Sequence, residues 1–577
     1  MPKNFIERPR KNEKDEAIRY VKHLLVQARE ENRGEDIEKL EELLRLLHTK
    51  KYGLVWEEHA EVVEEEMRMK IPVFVEDTDR KIVGNPDSDD YNFLLEGDNL
   101  HSLHLLEKTH AGKIDVIYID PPYNTGNKDF IYNDKIVDKK DGYSHSKWLS
   151  FMSKRLEIAR RLLSDSGVIF ISIDDNEQAQ LKLLCDEIFG EGNFIANFIW
   201  EKTQHFGRQK LNSYKNGDYI LCYSKKLWND GQLSELLVER VKEEFEDAPL
   251  YNASNNEHIL IFPKGTVKFN LPDGTYEHST DEKYELMNEV LVQNGVNVNS
   301  FGLQFKSRWT NETVQQEIQN GTIFWVKTQR FAIRSIYAKG KKSTEAPRQV
   351  IFTNQKNPAR ALSRFGKRVG TSEIATNELS KVLGESIFSY PKPTSLIEYL
   401  ISLFVKNRKH NMNITILDFF AGSGTTGHAV AQLNKEDGGG RKYILCTNNE
   451  NNICEEVTYK RLNNIQDELP HNLKYFKTNF IDKRHFPDIT LEKELLKYIT
   501  PLVELEFGID ISNPSVQIIL TEEHLKALLQ NQELQAGVTL FIHPDVFLDT
   551  KEQEQLSELH ITLQEIPDYF FGKELWS

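Results

Sequence analysis

Cysteine is scarce and long apolar runs are missing. The four cysteines, Cys185, Cys222, Cys446 and Cys454, are scattered over 577 residues with no C-x-x-C pair, so neither a zinc site nor a disulfide framework is encoded. No metal centre is expected. No stretch approaches the roughly 20 apolar residues of a membrane helix, and the opening MPKNFIERPRKNEKDE lacks the apolar segment of a signal peptide. The expectation is a protein of the reducing cytoplasm without a membrane partner. No Gly-x-x-x-x-Gly-Lys-Ser/Thr occurs, so ATP chemistry would have to come from another polypeptide. Positive charge is also short: 73 Lys and Arg against 89 Asp and Glu leave a net charge of −16. A uniformly acidic surface repels phosphates. Any nucleic-acid surface must be local.

Such a place exists between Lys327 and Arg368, where twelve basic residues face the single acid Glu345. An ordinary solvated face intersperses both signs. The one-sided charge points to DNA, with Lys339, Lys341, Lys342, Arg348, Arg360, Arg364, Lys367 and Arg368 as the candidate contacts.

The length predicts several domains. Residues 1–90 read as a helical N-terminal extension, with amphipathic helices either side of Gly34. The second is close to a heptad seam but short, so packing onto the parent domain is expected, with self-association as the alternative. Residues 91–227 alternate apolar strands with helices, the pattern of an open α/β sheet buried on both faces. Residues 228–385 are irregular, rich in Asn and aromatics, and read as an inserted domain; the α/β pattern resumes over 386–470, and 471–577 form a C-terminal appendage of mixed pattern. One sheet is therefore expected to be split by an insertion.

Two motifs in that split sheet carry chemistry. ILDFFAGSGTTGHAV (416–430) is a strand, a tight turn at Gly422 and Gly424, and a helix from Thr425. Glycine is needed where backbone turns sharply beside a ligand. Alone, the turn reads equally as a tight connection. Glu450, beyond the next strand, stands where nucleotide folds place a carboxylate for ribose hydroxyls, or is a surface acid. Asp120-Pro121-Pro122-Tyr123 follows the strand IDVIYID. Two prolines hold the chain extended and rigid. The Asp120 carboxylate and the Pro121 carbonyl can then both accept from one exocyclic amino group while the Tyr123 ring stacks on a base. An aromatic amine is a poor nucleophile, and two acceptors make its nitrogen more reactive. Asp174 and Asp175, at a neighbouring strand end near the same edge, either shape the pocket or cap the following helix, and capping is the expectation. Trp200 and Phe206, just after the next strand, stand where a second wall of the base pocket could lie, though aromatics at a strand end are more often core, which is the expectation.

DPPYNTG, LLEGDNLHSL (94–103), DFFAGSGTT (418–426) and YPKPTSLIEYLI (390–401) resemble the motif set of β-class amino-methyltransferases, and in spacing and size the chain resembles the Mod subunits of Type III restriction-modification systems. The resemblance spans residues 90–470 and includes the motif order, with DPPY ahead of the S-adenosylmethionine loop. It implies a Rossmann-like methyltransferase sheet in permuted order with an inserted target-recognition domain. It also implies that Phe420, Gly422, Gly424 and Thr425 wrap the methionine part of S-adenosylmethionine, that Asp98 holds its adenine amino group, that Lys392 and Pro393 line the same pocket, and that Asp418 orients the loop. Asp120, Pro121, Pro122 and Tyr123 would be catalytic. The implied activity is methylation of adenine N6 in double-stranded DNA, with the base flipped out, by a homodimer that pairs with a separate ATP-dependent restriction subunit. Alternatives are cytosine N4 as target, or a DNA-reading subunit without essential catalysis. RNA or protein amides fit less well, because related amide enzymes carry Asn in place of Asp120.

Overall fold

Near-continuous apolar runs become the central strands of one large sheet. The computed structural model describes residues 13–30, 61–125, 144–205, 214–226, 247–336, 342–351, 368–485 and 495–566, apart from 386, 407, 408, 411 and 514, plus short pieces near 36–44, at 56 and over 235–241. Eleven strands form the sheet: β1 (Lys70–Glu76), β2 (Ile82–Val83), β3 (Asn92–Glu96), β4 (Ile114–Ile119), β5 (Leu163–Ile173), β6 (Phe194–Glu201), β7 (Gly217–Ser224), β8 (Val350–Ile351), β9 (Thr415–Asp418), β10 (Lys442–Thr447) and β11 (Asn472–Asp482). Their order is β1-β11-β3-β10-β9-β4-β5-β7-β6-β8, with β2 on β11. From β11 to β5 all neighbours are parallel, and β7 enters antiparallel to both β5 and β6.

Successive side chains of a strand point to opposite faces, and both faces are covered. In β4, Ile117 and Ile119 pack with Leu103 and Leu106 of α1 (Asn99–His110) and Met152 and Leu156 of α2 (Ser144–Leu162). Val116 and Tyr118 pack on the other side with Leu396 and Leu400 of α4 (Thr394–Leu403) and Val430 and Leu433 of α5 (Thr425–Asp437). Helix α3 (Ser372–Leu383) precedes α4. The segment after the insertion thus supplies the middle of the sheet, with β9 against β4 and β10 against β3. Chain progress from β9 to β10 runs one way across the sheet and from β4 to β5 the other. Strand order therefore reverses between β9 and β4, and a crevice opens at their carboxyl ends.

Domain borders differ from the sequence reading in three places. Strands β1 and β2 belong to the sheet rather than to a helical extension, because β1 pairs antiparallel with β11, Lys70 against Asp482. That pairing spans some four hundred residues of chain, so no local pattern announces it. The insertion is narrower than 228–385: its own core runs from Leu250 to Ile333, whereas β8 pairs parallel with β6. The appendage begins later than 471, as three parallel strands, Val516–Ile519, Thr539–Ile542 and Thr562–Glu565. Phe541 and Ile566 of that unit join the main core. Of the N-terminal helices, Glu13–Glu30 is described and the second only in pieces. Among the described residues no helix is long and apolar enough to cross a membrane.

Candidate active site

At the reversal point lies a cavity of about 430 Å³. Its walls are Asp120-Pro121-Pro122-Tyr123 after β4, Asp418 with Phe420, Ala421, Gly422, Ser423 and Thr425 after β9, and Tyr390-Pro391-Lys392 before α4. The two sequence motifs meet because β4 and β9 are neighbours, Ile117 opposite Leu417.

Lys392 joins the halves. Its ammonium donates to both carboxylate oxygens of Asp120 at 2.7 and 2.6 Å and to the Tyr123 hydroxyl at 3.0 Å, so three N–H donors find three acceptors. Pro391 and Pro393 on either side hold the backbone extended, Pro393 capping α4 with φ −70° and ψ 138°. Burial, then the charges of Asp120 and Asp218, push the Tyr123 phenol far above its ordinary value, so the ring stays neutral. The Pro122 carbonyl accepts from the Trp148 indole at 2.8 Å. Asn124, at φ 56°, donates to the fully buried Glu177, which also contacts His145 Nδ1 at 2.7 Å. The rigid turn is thus held from behind by α2 and by the loop after β5.

The glycine loop is built as tightly. Gly422 and Gly424 have φ 50° and 71°, the left-handed region that glycine enters without strain. A Cβ on Gly424 would lie 3.1 Å from Thr458 Cγ2. Thr458 Oγ1 donates to the Gly422 carbonyl at 2.6 Å, and the buried Arg461 guanidinium donates to Thr425 Oγ1 at 2.8 Å and Thr394 Oγ1 at 3.0 Å. Asp418 accepts from the Phe420 backbone N–H at 3.0 Å and the Thr426 hydroxyl at 2.5 Å. Burial pushes its carboxyl up to about 7 against those hydrogen bonds. Phe420 lies beside Phe151, ring centroids 5.9 Å apart.

Other expected residues are placed differently. Asp98 caps α1 by accepting from the Leu100 N–H at 2.8 Å and meets Arg155 at 3.3 Å. It stands at the end of β3 beside the end of β10, outside the cavity lining. Glu450 is exposed, and neither it nor Pro393 or Gly424 lines the cavity. Asp174 accepts from the Asn176 N–H at 2.9 Å, a cap-like turn, yet also reaches the cavity. Arg348 and Arg368 are exposed. Lys342 opens a short strand paired with Val241; its side chain, and Lys339, Lys341, Arg360, Arg364, Lys367 and Phe206, lie outside the described residues.

Sequence reasoning missed several lining residues, among them Asp218, Lys202, Thr203 and Glu373. Asp218 heads β7, buried, and binds Lys202 at 2.8 Å; burial raises its carboxyl while Lys202 and Lys392 oppose this. An acid opening an apolar strand was the available signal. Thr203 donates to Glu373 in the first turn of α3, and no motif marks either. Trp200 is a core residue, its indole donating to the Gly370 carbonyl at 3.0 Å, and a wall of the cavity as well.

A doubly wound sheet of this order, with a glycine loop at one strand end and Asp-Pro-Pro-Tyr at the next, is a Rossmann-like methyltransferase fold. The chain belongs to the DNA methylase family, whose model matches residues 114–459. It is 30% identical over 427 residues to the Type III restriction-modification enzyme StyLTI Mod subunit of Salmonella typhimurium, covering 69% of this chain and 59% of that one. The EcoPI Mod subunit of Escherichia phage P1 is 33% identical, covering 62% and 58%. The Type II methyltransferase M.KpnI of Klebsiella pneumoniae is 33% identical, covering 67% of this chain and 88% of that one. The chain thus spans a little under three fifths of the two Mod subunits. Among solved structures, the cytosine-N4-specific PvuII DNA methyltransferase matches at 11% identity and TM-score 0.30, covering 67% of this chain and 95% of that one.

Proposed function

We propose that the protein transfers a methyl group from S-adenosylmethionine to N6 of an adenine flipped out of double-stranded DNA. It would serve as the modification and recognition subunit of a Type III restriction-modification system, as a homodimer that docks a separate ATP-dependent restriction subunit. One observation carries the reading: Asp120 and the glycine loop, 298 residues apart at Asp418, share one cavity because their strands are neighbours. The Mod subunits matched above support the Type III assignment.

The residues present fit the methyl donor. Phe420 and the Ala421-Gly422-Ser423 backbone form one wall, and at the same edge of the sheet, just past β10 and outside the cavity lining, Asn448 Oδ1 is buried without a hydrogen-bond partner among the described residues. A buried polar atom left unpaired costs free energy, about 1–3 kcal/mol, and a ligand can satisfy it. When bound, S-adenosylmethionine supplies an electrophilic methyl group on a sulfonium and leaves as a thioether. On the opposite wall the Asp120 carboxylate and the Pro121 carbonyl accept the two N6 hydrogens. The Pro122 carbonyl is already engaged by the Trp148 indole. Tyr123 offers its neutral ring for stacking, about 1–3 kcal/mol per base. Lys392 occupies both oxygens of Asp120, the place the amino group needs, and releases them as the base enters. One N6 proton then leaves as the N–C bond forms, with Asp120 as the base in reach.

The test is incubation of the purified chain with unmethylated duplex DNA and methyl-labelled S-adenosylmethionine, followed by nucleoside analysis. Label appears in N6-methyladenine and vanishes with Asp120→Ala. Label only in N4-methylcytosine refutes the adenine assignment, and retention of label by Asp120→Ala refutes the site.

A further inference from the structure

Between α3 and α4 the chain passes along the cavity wall as Phe388-Ser389-Tyr390-Pro391-Lys392, and Tyr390 breaks two backbone rules at once. Its φ is 56°, a region where a bulky L residue crowds its own Cβ. It also precedes Pro391, and the residue before proline is ordinarily driven to an extended conformation with φ near −120°. Burial does not compensate the strain: Tyr390 is 70% exposed, among the most exposed large side chains of the described residues. Its neighbours are anchored, Pro391 buried and Lys392 fastened to Asp120. Strain of this kind persists where the surroundings enforce it, and clusters at ligand-contacting positions.

Exposure decides which contact this is. A second wall of the base pocket would be enclosed, as Trp200 is at 1% exposed. Tyr390 stands on the rim, where duplex must lie if a base is to reach Asp120. The side chain is aromatic and uncharged, suited to stacking on any base and unsuited to phosphate. We propose that Tyr390 is the contact that the duplex meets as the target base leaves it, its ring stacking on the bases bordering the vacated position and replacing stacking lost on extrusion. This rests on the DNA methyltransferase reading above and adds a positioning residue to it. The anchored Pro391-Lys392 pair ties the ring to the catalytic carboxylate, so the same short segment meets the duplex and releases Asp120.

The test uses the full chain and a duplex bearing the site mapped by sequencing methylated DNA. It is made twice: with the target adenine paired to thymine, and with an abasic residue opposite it, which removes the pairing that extrusion must break. Tyr390→Ala lowers kcat/KM on the paired duplex about tenfold, while Tyr390→Phe stays within about twofold of wild type. On the abasic duplex the Tyr390→Ala defect shrinks to under about threefold. Fluorescence of 2-aminopurine at the target position, bright in the wild-type complex, is quenched in the Tyr390→Ala complex. A Tyr390→Ala chain as active as wild type on the paired duplex, or equally impaired on both, overturns the proposal while leaving the methyltransferase reading intact. A wild-type chain that labels no DNA removes both. A melting temperature of Tyr390→Ala at or above wild type excludes misfolding as the cause.

Discussion

At the scale of single residues, the site is governed by where charge is allowed to sit. Asp120 is held by one cation and Asp218 by another, Lys392 and Lys202, so four charges alternate around one cavity. Asp418 has no such partner among the described residues and responds by resisting ionisation, raised from 3.8 to about 7 by burial. The sign of its effect on stability follows. A carboxyl raised in the folded state binds its proton more tightly there than in the unfolded chain, so its contribution is fully present below 3.8 and is lost as pH rises through about 7. Asp418→Asn keeps the acceptor for Phe420 N–H and cannot ionise. Its denaturant midpoint is therefore expected to gain on that of wild type between pH 4 and 7, and a constant difference over that window would show that Asp418 titrates normally.

At the scale of elements, the glycine loop depends on groups that reach it from the segment after β10 and from the turn before α4. Thr458 and Arg461 bind its carbonyl and hydroxyl oxygens. Arg461 is fully buried, its guanidinium lowered to about 10 by burial with Glu378 opposing. Gly424→Ala would put a Cβ at φ 71° and 3.1 Å from Thr458. Strain in the left-handed region together with that contact is expected to cost about 1–3 kcal/mol. The change should also raise KM for S-adenosylmethionine more than it lowers kcat, because Gly424 shapes the turn that carries Ala421, Gly422 and Ser423, the wall proposed for the cofactor, while Asp120 is left alone. Urea unfolding and initial rates at varied cofactor measure both. Unchanged KM would detach Gly424 from cofactor binding.

At the scale of the molecule, the chain is a split sheet carrying two satellites. The insertion has its own core of residues such as Phe262, Phe301, Phe324 and Phe331, and among the described residues its sheets share no strand with the main one. Residues 247–336 are therefore expected to fold alone, with a cooperative thermal transition in circular dichroism; a chain without strand signal or transition would make that core dependent on the methyltransferase body. The C-terminal unit is different, because one side of its three strands packs into the main core through Phe541 and Ile566, so its removal exposes apolar surface. Under the proposed function, an acidic molecule of net charge −16 would meet DNA where basic residues gather, and among the candidate contacts Arg348 and Arg368 are exposed.

Much of this was legible from residue order alone. The apolar runs at 114–120 and 414–420 announce buried parallel strands because burial on both faces removes the need for alternation, and Asp-Pro-Pro-Tyr and the glycine turn are stiff or permissive by covalent structure wherever they occur. These local properties determined the fold class, the family resemblance and the two halves of the site. Pairing between distant strands has no local signature: hence β1 on β11, the narrower insertion, and the attachment of Lys392 to Asp120. Asp218, Lys202 and Glu373 acquire a role only when strands and helices from three parts of the chain converge. The strain at Tyr390 exists only because anchored neighbours force it. What residue chemistry could specify, the sequence determined by itself; what depends on which residues meet across hundreds of positions, only the tertiary structure decided, because contact energies act through space and the order of residues does not encode distance.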